Sequence, residues 1–290
     1  MKAQLTCIPC LVRQATNILA KSVPEGPARE EGIRRILAEA AKLDYGHPTP
    51  VLSGALQAVL RTVTGVDDPF AVEKHSFTQM ALGMLPEMEA LVAESSDPFE
   101  AAVKMAIAGN VIDLGVKSDL SESDAEAVLR AALAQPLHGS ARSLKEAADN
   151  AGKILYLADN AGETVFDRLL LARLPKGRVT IAVRGRPVMN DATLSEAREA
   201  GLDEFGPLLP NGAGIPGTYL PACSPEFTQA FREANLVISK GQGSFETLWD
   251  VPAPLFFLFR IKCPIAQAMT GIPLNANAAI RSPKYREKTA

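Results

Sequence analysis

Asp159 and Asn160 set an acid beside an amide at the end of a compact apolar run. Ile154, Leu155, Tyr156 and Leu157, with a β-branched and an aromatic member among them, predict a buried strand. Gly162 and Glu163 follow, and residues 164–173 predict a helix with Val165, Leu169 and Leu170 on one face. The polar pair therefore sits where a strand gives way to a helix, and in open α/β sheets ligands bind at that carboxyl edge. A carboxylate and a carboxamide are hard oxygen donors of the kind that Mg²⁺ or Mn²⁺ takes. A loop opened by an Asx-turn would use the same residues.

Other polar residues fall at comparable places. Asp97, Pro98 and Glu100 form a helix N-terminus, and its apolar stripe runs through Phe99, Ala102, Val103, Ala106 and Ile107. Continued, the stripe reaches Asn110 and, one turn on, Asp113. Burying such groups unpartnered costs roughly a few kcal/mol each, so they either bond backbone or line a site. A second predicted strand, 179–183, ends in Arg184, with Asn190 and Asp191 just beyond. A third, 235–239, ends in Lys240, Gly241, Gln242 and Gly243, and a fourth, 255–261, in Lys262 and Cys263. In a parallel sheet all these ends share one edge. Oxygens gathered there would suit a divalent metal, and the Lys and Arg side chains would suit phosphoryl oxygens.

Two kinds of segment must position these residues. Up to about residue 150 the pattern is helical: 7–21, closed by the Pro24–Pro27 cluster, then 28–44, 50–64, 68–94 with an interruption at Pro86, the Asp97 helix, 123–134 and 143–150. From Gly152 on, strands alternate with helices, which predicts a mostly parallel sheet with crossover helices. Residues 203–224, rich in Pro and Gly, read as a long loop, and the tail from Arg281 as frayed and solvated. The expected fold class is α/β: a helical N-terminal part, 1–150, followed by a mostly parallel, Rossmann-like α/β/α sheet, 151–290, which carries the metal site.

Hydrophobic residues make up 47% of the 290, enough for a sizeable core. A net charge of -3 argues against nucleic acid or an anionic membrane as the main partner. There is no apolar run of membrane-spanning length, and the N-terminus lacks the apolar stretch of a signal peptide, so a cytoplasmic protein with reduced cysteines is expected. Oligomeric state leaves no trace in the sequence.

At this point the chain resembles the damage-control phosphatases, a metal-dependent family formerly catalogued as a domain of unknown function. Four segments carry the resemblance: Gly109-Asn110-Val111-Ile112-Asp113, Asp159-Asn160-Ala161-Gly162-Glu163, Arg184 through Asn190-Asp191-Ala192-Thr193, and Lys240-Gly241-Gln242-Gly243. Cys7-x-x-Cys10 and Lys262-Cys263-Pro264 are similar to a prokaryotic branch with extra cysteines, whose role is either small-residue packing or a metal or redox site. The resemblance implies a cleft between the two parts and a divalent ion, Mn²⁺, Mg²⁺, Co²⁺ or Ni²⁺, held by Asp159, Asn160 and Asp191. It implies hydrolysis of a small phosphorylated metabolite by a metal-activated water. Lys240 and Arg184 would meet phosphoryl charge, with Gly241 and Glu163 beside the substrate. Asn110 and Asp113 would approach from the helical side, and either Asp113 or Asp159 would be the base. The competing expectation is an S-adenosylmethionine or nucleotide binder such as a methyltransferase, against which the first strand lacks a G-x-G-x-x-G turn.

Overall fold

The computed structural model describes residues 1–112 and 122–287. Helices α1 (Cys7–Ser22), α2 (Pro27–Ala40) and α3 (Thr49–Thr64) pack on one another through Leu11, Ile18, Leu19, Ile36, Leu56 and Leu60, a small core of their own. Pro27 opens α2 in the first turn, where a missing N–H costs nothing.

Helix α4 (Ala71–Glu94) runs unbroken through Pro86, contrary to the expected interruption. Pro86 is exposed, so the carbonyl it frees one turn back can meet water, while Met84, Leu85, Met88 and Val92 anchor both halves in the same core. Helix α5 (Pro98–Ile112) starts as predicted: Asp97 Oδ1 accepts from the backbone N–H of Phe99 at 3.1 Å and of Glu100 at 2.9 Å. Then follow α6 (Glu122–Ala134), β1 (Leu137–Gly139), α7 (Ala141–Asn150), β2 (Ile154–Leu157), α8 (Glu163–Leu171), β3 (Val179–Val183), α9 (Leu194–Glu199) and β4 (Leu208–Pro210). The chain continues as α10 (Pro225–Glu233), β5 (Leu236–Lys240), α11 (Gln242–Leu248), β6 (Leu255–Arg260), α12 (Pro264–Thr270) and β7 (Asn277–Arg281).

The strands form a single sheet ordered β1-β7-β6-β5-β2-β3-β4. Strands β6, β5, β2, β3 and β4 are parallel; β7 pairs antiparallel with β6 and parallel with β1. Residues alternate between two covered faces. Ile154, Tyr156, Leu236, Ile238 and Leu258 join the core under α4 to α8, whereas Leu155, Leu157, Val237, Phe257 and Phe259 join the core under α10 to α12. Burying each such side chain contributes about 1.5–3 kcal/mol, which explains why the central strands read as unbroken apolar runs.

The α/β/α layering was expected, and the helices before residue 150 fall into two packing groups. Helices α4 to α7 share the sheet's own core, whereas α1 to α3 pack in a separate cluster. Three strands escaped the sequence pattern: β1, inside the segment read as helical; β4, inside the segment read as loop; and β7, Asn277–Arg281, with two alanines and only one β-branched residue. The tail is docked, not frayed, as far as it is described. Ser282 is buried, the backbone N–H of Arg286 donates to Ala253, and Tyr285 packs edge-on against Phe256. Among the described residues no helix is long and apolar enough to cross a membrane.

Candidate active site

The chain leaves β2 toward β3 on one side, while β5 flanks β2 on the other, so the crevice beyond the ends of β2 and β5 is the topological switch point of the sheet. Asp159 and Asn160 follow β2 there, and Lys240 and Gly241 close β5. The loop after β3 is laced to the loop after β2. The backbone N–H of Ala192 donates to the Asp159 carbonyl at 2.8 Å, that of Ala161 to Asn190 at 2.9 Å, and Asn160 and Asp191 form an isolated bridge. These bonds set Asp191 beside Asp159.

Arg184, 1% exposed, clamps the two acids together: Nε donates to Asp191 Oδ2 at 2.5 Å and Nη2 to Asp159 Oδ1 at 3.0 Å. Asn110 of α5 donates Nδ2 to Glu163 Oε2 at 2.5 Å and to Asp159 Oδ2 at 3.3 Å, and Asn160 Nδ2 donates to the same Glu163 oxygen at 3.0 Å. Glu163 Oε1 accepts from Lys240 Nζ at 2.5 Å. The other Lys240 partners are Asp167 Oδ1 at 2.5 Å and the Ala106 carbonyl at 2.7 Å.

Gly241 fits only as glycine. Its φ of 78° with ψ of 157° lies in a region that essentially only glycine adopts, and a Cβ there would collide with the Asp159 carboxylate.

The electrostatics are unbalanced. Among the described residues four buried carboxylates, Asp159, Glu163, Asp167 and Asp191, face two buried cations, Arg184 and Lys240. Burial pushes Asp159 up to about 8, the charges of Asp191 and Glu163 add to this, and Arg184 and Lys262 only partly offset it. Burial raises Asp191 as well, against the pull of Arg184, and lifts Asp167 to about 6 against that of Lys240. Burial alone would lower the Lys240 pKa, but Asp167 and Glu163 outweigh it and hold the ammonium above the usual lysine range.

A divalent cation fits this donor set. Its two charges would balance the surplus, and Asp159, Asn160 and Asp191 supply hard oxygens. Among the described residues no three His, Cys, Asp or Glu side chains form a ready cage. Two carboxylates and one amide form a partial shell of the sort Mg²⁺ or Mn²⁺ completes with water and phosphate oxygens.

The structure thus gathers Asn110, Asp159, Asn160, Glu163, Arg184, Asp191, Lys240 and Gly241 in one place. Asp113 lies outside the described residues. Two expected phosphate ligands are differently engaged: the three ammonium hydrogens of Lys240 and the inner edge of Arg184 are committed to protein acceptors. Both are fully buried, so each acts as counter-charge to the acids.

Sequence reasoning missed Asp167, although its position four residues after Glu163 on the same helix face was a usable signal. It also missed the backbone N–H of Gly217, which bonds to Asp191 from the segment read as loop. Nothing in the sequence links those two. Among the described residues Lys262 is an exposed cation whose charge reaches Asp159.

The chain matches a family model described as the Damage-control phosphatase ARMT1-like domain over residues 3–277. It is 34% identical to a damage-control phosphatase of Pyrococcus horikoshii over 292 residues, 97% of this chain and 99% of that protein. It is 36% identical to a damage-control phosphatase of Archaeoglobus fulgidus over 212 residues, 71% of this chain and 73% of the relative. A crystal structure of a DUF89 family protein from Pyrococcus horikoshii superposes with a TM-score of 0.88 at 31% identity, covering 97% of this chain and 99% of that one. The chain belongs to the family of damage-control phosphatases with the ARMT1-like domain.

Proposed function

We propose that this protein is a divalent-metal-dependent phosphatase that hydrolyses small phosphorylated metabolites. The carrying observation is the convergence of Asp159, Asn160 and Asp191 at the sheet's switch point, within a buried cluster that holds more acids than cations. Asp159, Asn160 and Asp191 would hold the ion, which when bound would polarise a phosphoryl oxygen and acidify a water.

The chain's own residues do the rest. Arg184 keeps the Asp159 and Asp191 carboxylates facing a common point despite their repulsion. Burial and the charges of Asp191 and Glu163 raise Asp159 in the metal-free protein, so uptake of the ion would release a proton and fix Asp159 as a carboxylate ligand. Asn110 reaches the cluster from α5 and ties that helix to the acids. Lys262, exposed and close enough for its charge to act on Asp159, is a cation among the described residues that would meet the dianionic phosphate. The S-adenosylmethionine reading gains no support, because the turn after β2 is occupied by Asp159 and Asn160 where that ligand's glycine turn would lie.

The test is hydrolysis of p-nitrophenyl phosphate and a sugar-phosphate panel by metal-stripped protein, with Mg²⁺, Mn²⁺, Co²⁺ or Ni²⁺ restored in turn. Activity should return with metal in the parent and stay absent in Asp159→Ala and Asp191→Ala. Equal activity with and without metal, or none with any of the four, refutes the reading.

A further inference from the structure

The lysine at the base of the site has a second anionic partner that the phosphatase reading leaves without a role. Asp167 is fully buried one turn along α8 from Glu163, and its Oδ1 accepts from Lys240 Nζ at 2.5 Å. The Tyr156 hydroxyl faces it from β2. Nothing in this pocket touches solvent, so Asp167 is too deep to meet substrate.

Followed outward, the contacts form a chain. Asp167 and the Ala106 carbonyl take two of the three ammonium hydrogens of Lys240, which directs the third at Glu163 Oε1. With that oxygen occupied, Glu163 turns Oε2 to the amides of Asn160 and Asn110. An amide is planar, with its oxygen and nitrogen on opposite sides of the carbonyl carbon. Fixing Asn160 Nδ2 on Glu163 therefore fixes which way Asn160 Oδ1 points, and a carboxamide can donate to a metal only through that oxygen. A flexible glutamate with three rotatable bonds would not hold such an amide unaided.

We propose that Asp167 is a positioning residue. Through Lys240 it locks Glu163, and through Glu163 it presents the oxygen edge of Asn160 to the ion. This rests on the metal reading given under Proposed function. It assigns Lys240 to the same task, as the link between two acids.

The experiment measures Mn²⁺ binding to metal-stripped protein by isothermal titration calorimetry, alongside kcat and KM for p-nitrophenyl phosphate. Asp167→Asn keeps the volume and removes the charge. It should weaken Mn²⁺ binding by about 10–100-fold, the range seen when partners that orient metal ligands are lost. It should lower kcat at saturating metal and leave KM within about twofold, since Asp167 does not touch substrate. In a Glu163→Gln background, Asp167→Asn should add nothing further to the loss of Mn²⁺ affinity, because both variants break one chain of contacts.

Unchanged affinity, or losses that multiply in the double variant, would overturn the proposal. If Asp167→Asn fails to fold, the triple replacement Glu163→Gln, Lys240→Met and Asp167→Leu removes all three charges of the buried triad, a change that is often neutral for stability. That variant should fold and show the same loss of Mn²⁺ affinity, and retained affinity overturns the proposal. Parent protein that takes up no Mn²⁺ overturns the metal reading and this role with it. Parent binding with unchanged Asp167→Asn overturns this role alone.

Discussion

Replacing Gly241 by alanine tests the geometry of the site with a single methyl group. The backbone there, φ 78° and ψ 157°, is essentially restricted to glycine, and forcing another residue into such a region costs about 1–3 kcal/mol. The added Cβ also collides with the Asp159 carboxylate, so Asp159 must rotate away from Arg184 or β5 must shift. A chain of 290 residues unfolds with an entropy of about 0.6 kcal/mol/K at roughly 2.1 cal/mol/K per residue. The backbone penalty alone then lowers Tm by roughly 2–5 °C. Differential scanning fluorimetry of metal-stripped protein reads that shift, and calorimetric titration of Mn²⁺ reads the displacement of Asp159. Gly241→Ala should lose both stability and most Mn²⁺ affinity. Parent-like Tm and affinity together would refute the close approach of Gly241 to Asp159. Lower Tm with intact affinity would show that the methyl group is absorbed without moving the acid.

Two further outcomes follow from the same contacts. Fully buried Lys74 joins α4 to Asp68 at 2.5 Å and to Glu196 of α9 at 2.8 Å, and Glu196 also accepts from the Thr193 backbone N–H at 2.8 Å. Breaking a buried pair costs about 3–5 kcal/mol, and the partial exposure of both acids reduces this to roughly 2–3 kcal/mol for Lys74→Met at neutral pH. Burial opposes ionisation of Glu196, but Lys74 and Thr193 outweigh it and depress its pKa, so its contribution is present above about 4.5 and lost as pH falls through the folded value. Burial likewise opposes the Lys74 charge, and Asp68 and Glu196 outweigh it and raise its pKa, so its share is complete below 10.5. Urea unfolding should therefore show a parent-to-variant gap that is flat between about pH 6 and 9 and closes toward pH 3, and a gap constant to pH 3 would contradict the ion triad. For metal, Mn²⁺ at one hundred times its Kd should stabilise the parent by about 2.7 kcal/mol, a Tm rise of roughly 4–5 °C that Asp159→Ala does not show.

The order of elements and the segments that carry the chemistry were legible in the sequence because they follow from local rules. Apolar spacing marked α1 to α5, the capping Asp97 marked where α5 begins, and unbroken apolar runs marked the central strands. Strand ends rich in Asp, Asn, Arg and Lys marked the edge where a ligand belongs. The strands β1, β4 and β7 were hidden: β1 and β4 are three residues each, β7 carries a weak apolar pattern, and β1 and β4 lie at the two edges of the sheet, so their pairing depends on neighbours distant in the chain.

The partners of each charged residue were likewise invisible until folding. Lys240 and Arg184 read as phosphate ligands because a cation at a strand end is usually exposed. The register of β5 and β3 and the crossing of α5 over α8 bury both, and a buried cation must find acids before it can serve a substrate. Residue types and their spacing thus determined which atoms are available for chemistry. Tertiary packing decided which of them face the crevice and which hold the others still, because desolvation acts on position in space and not on position in sequence.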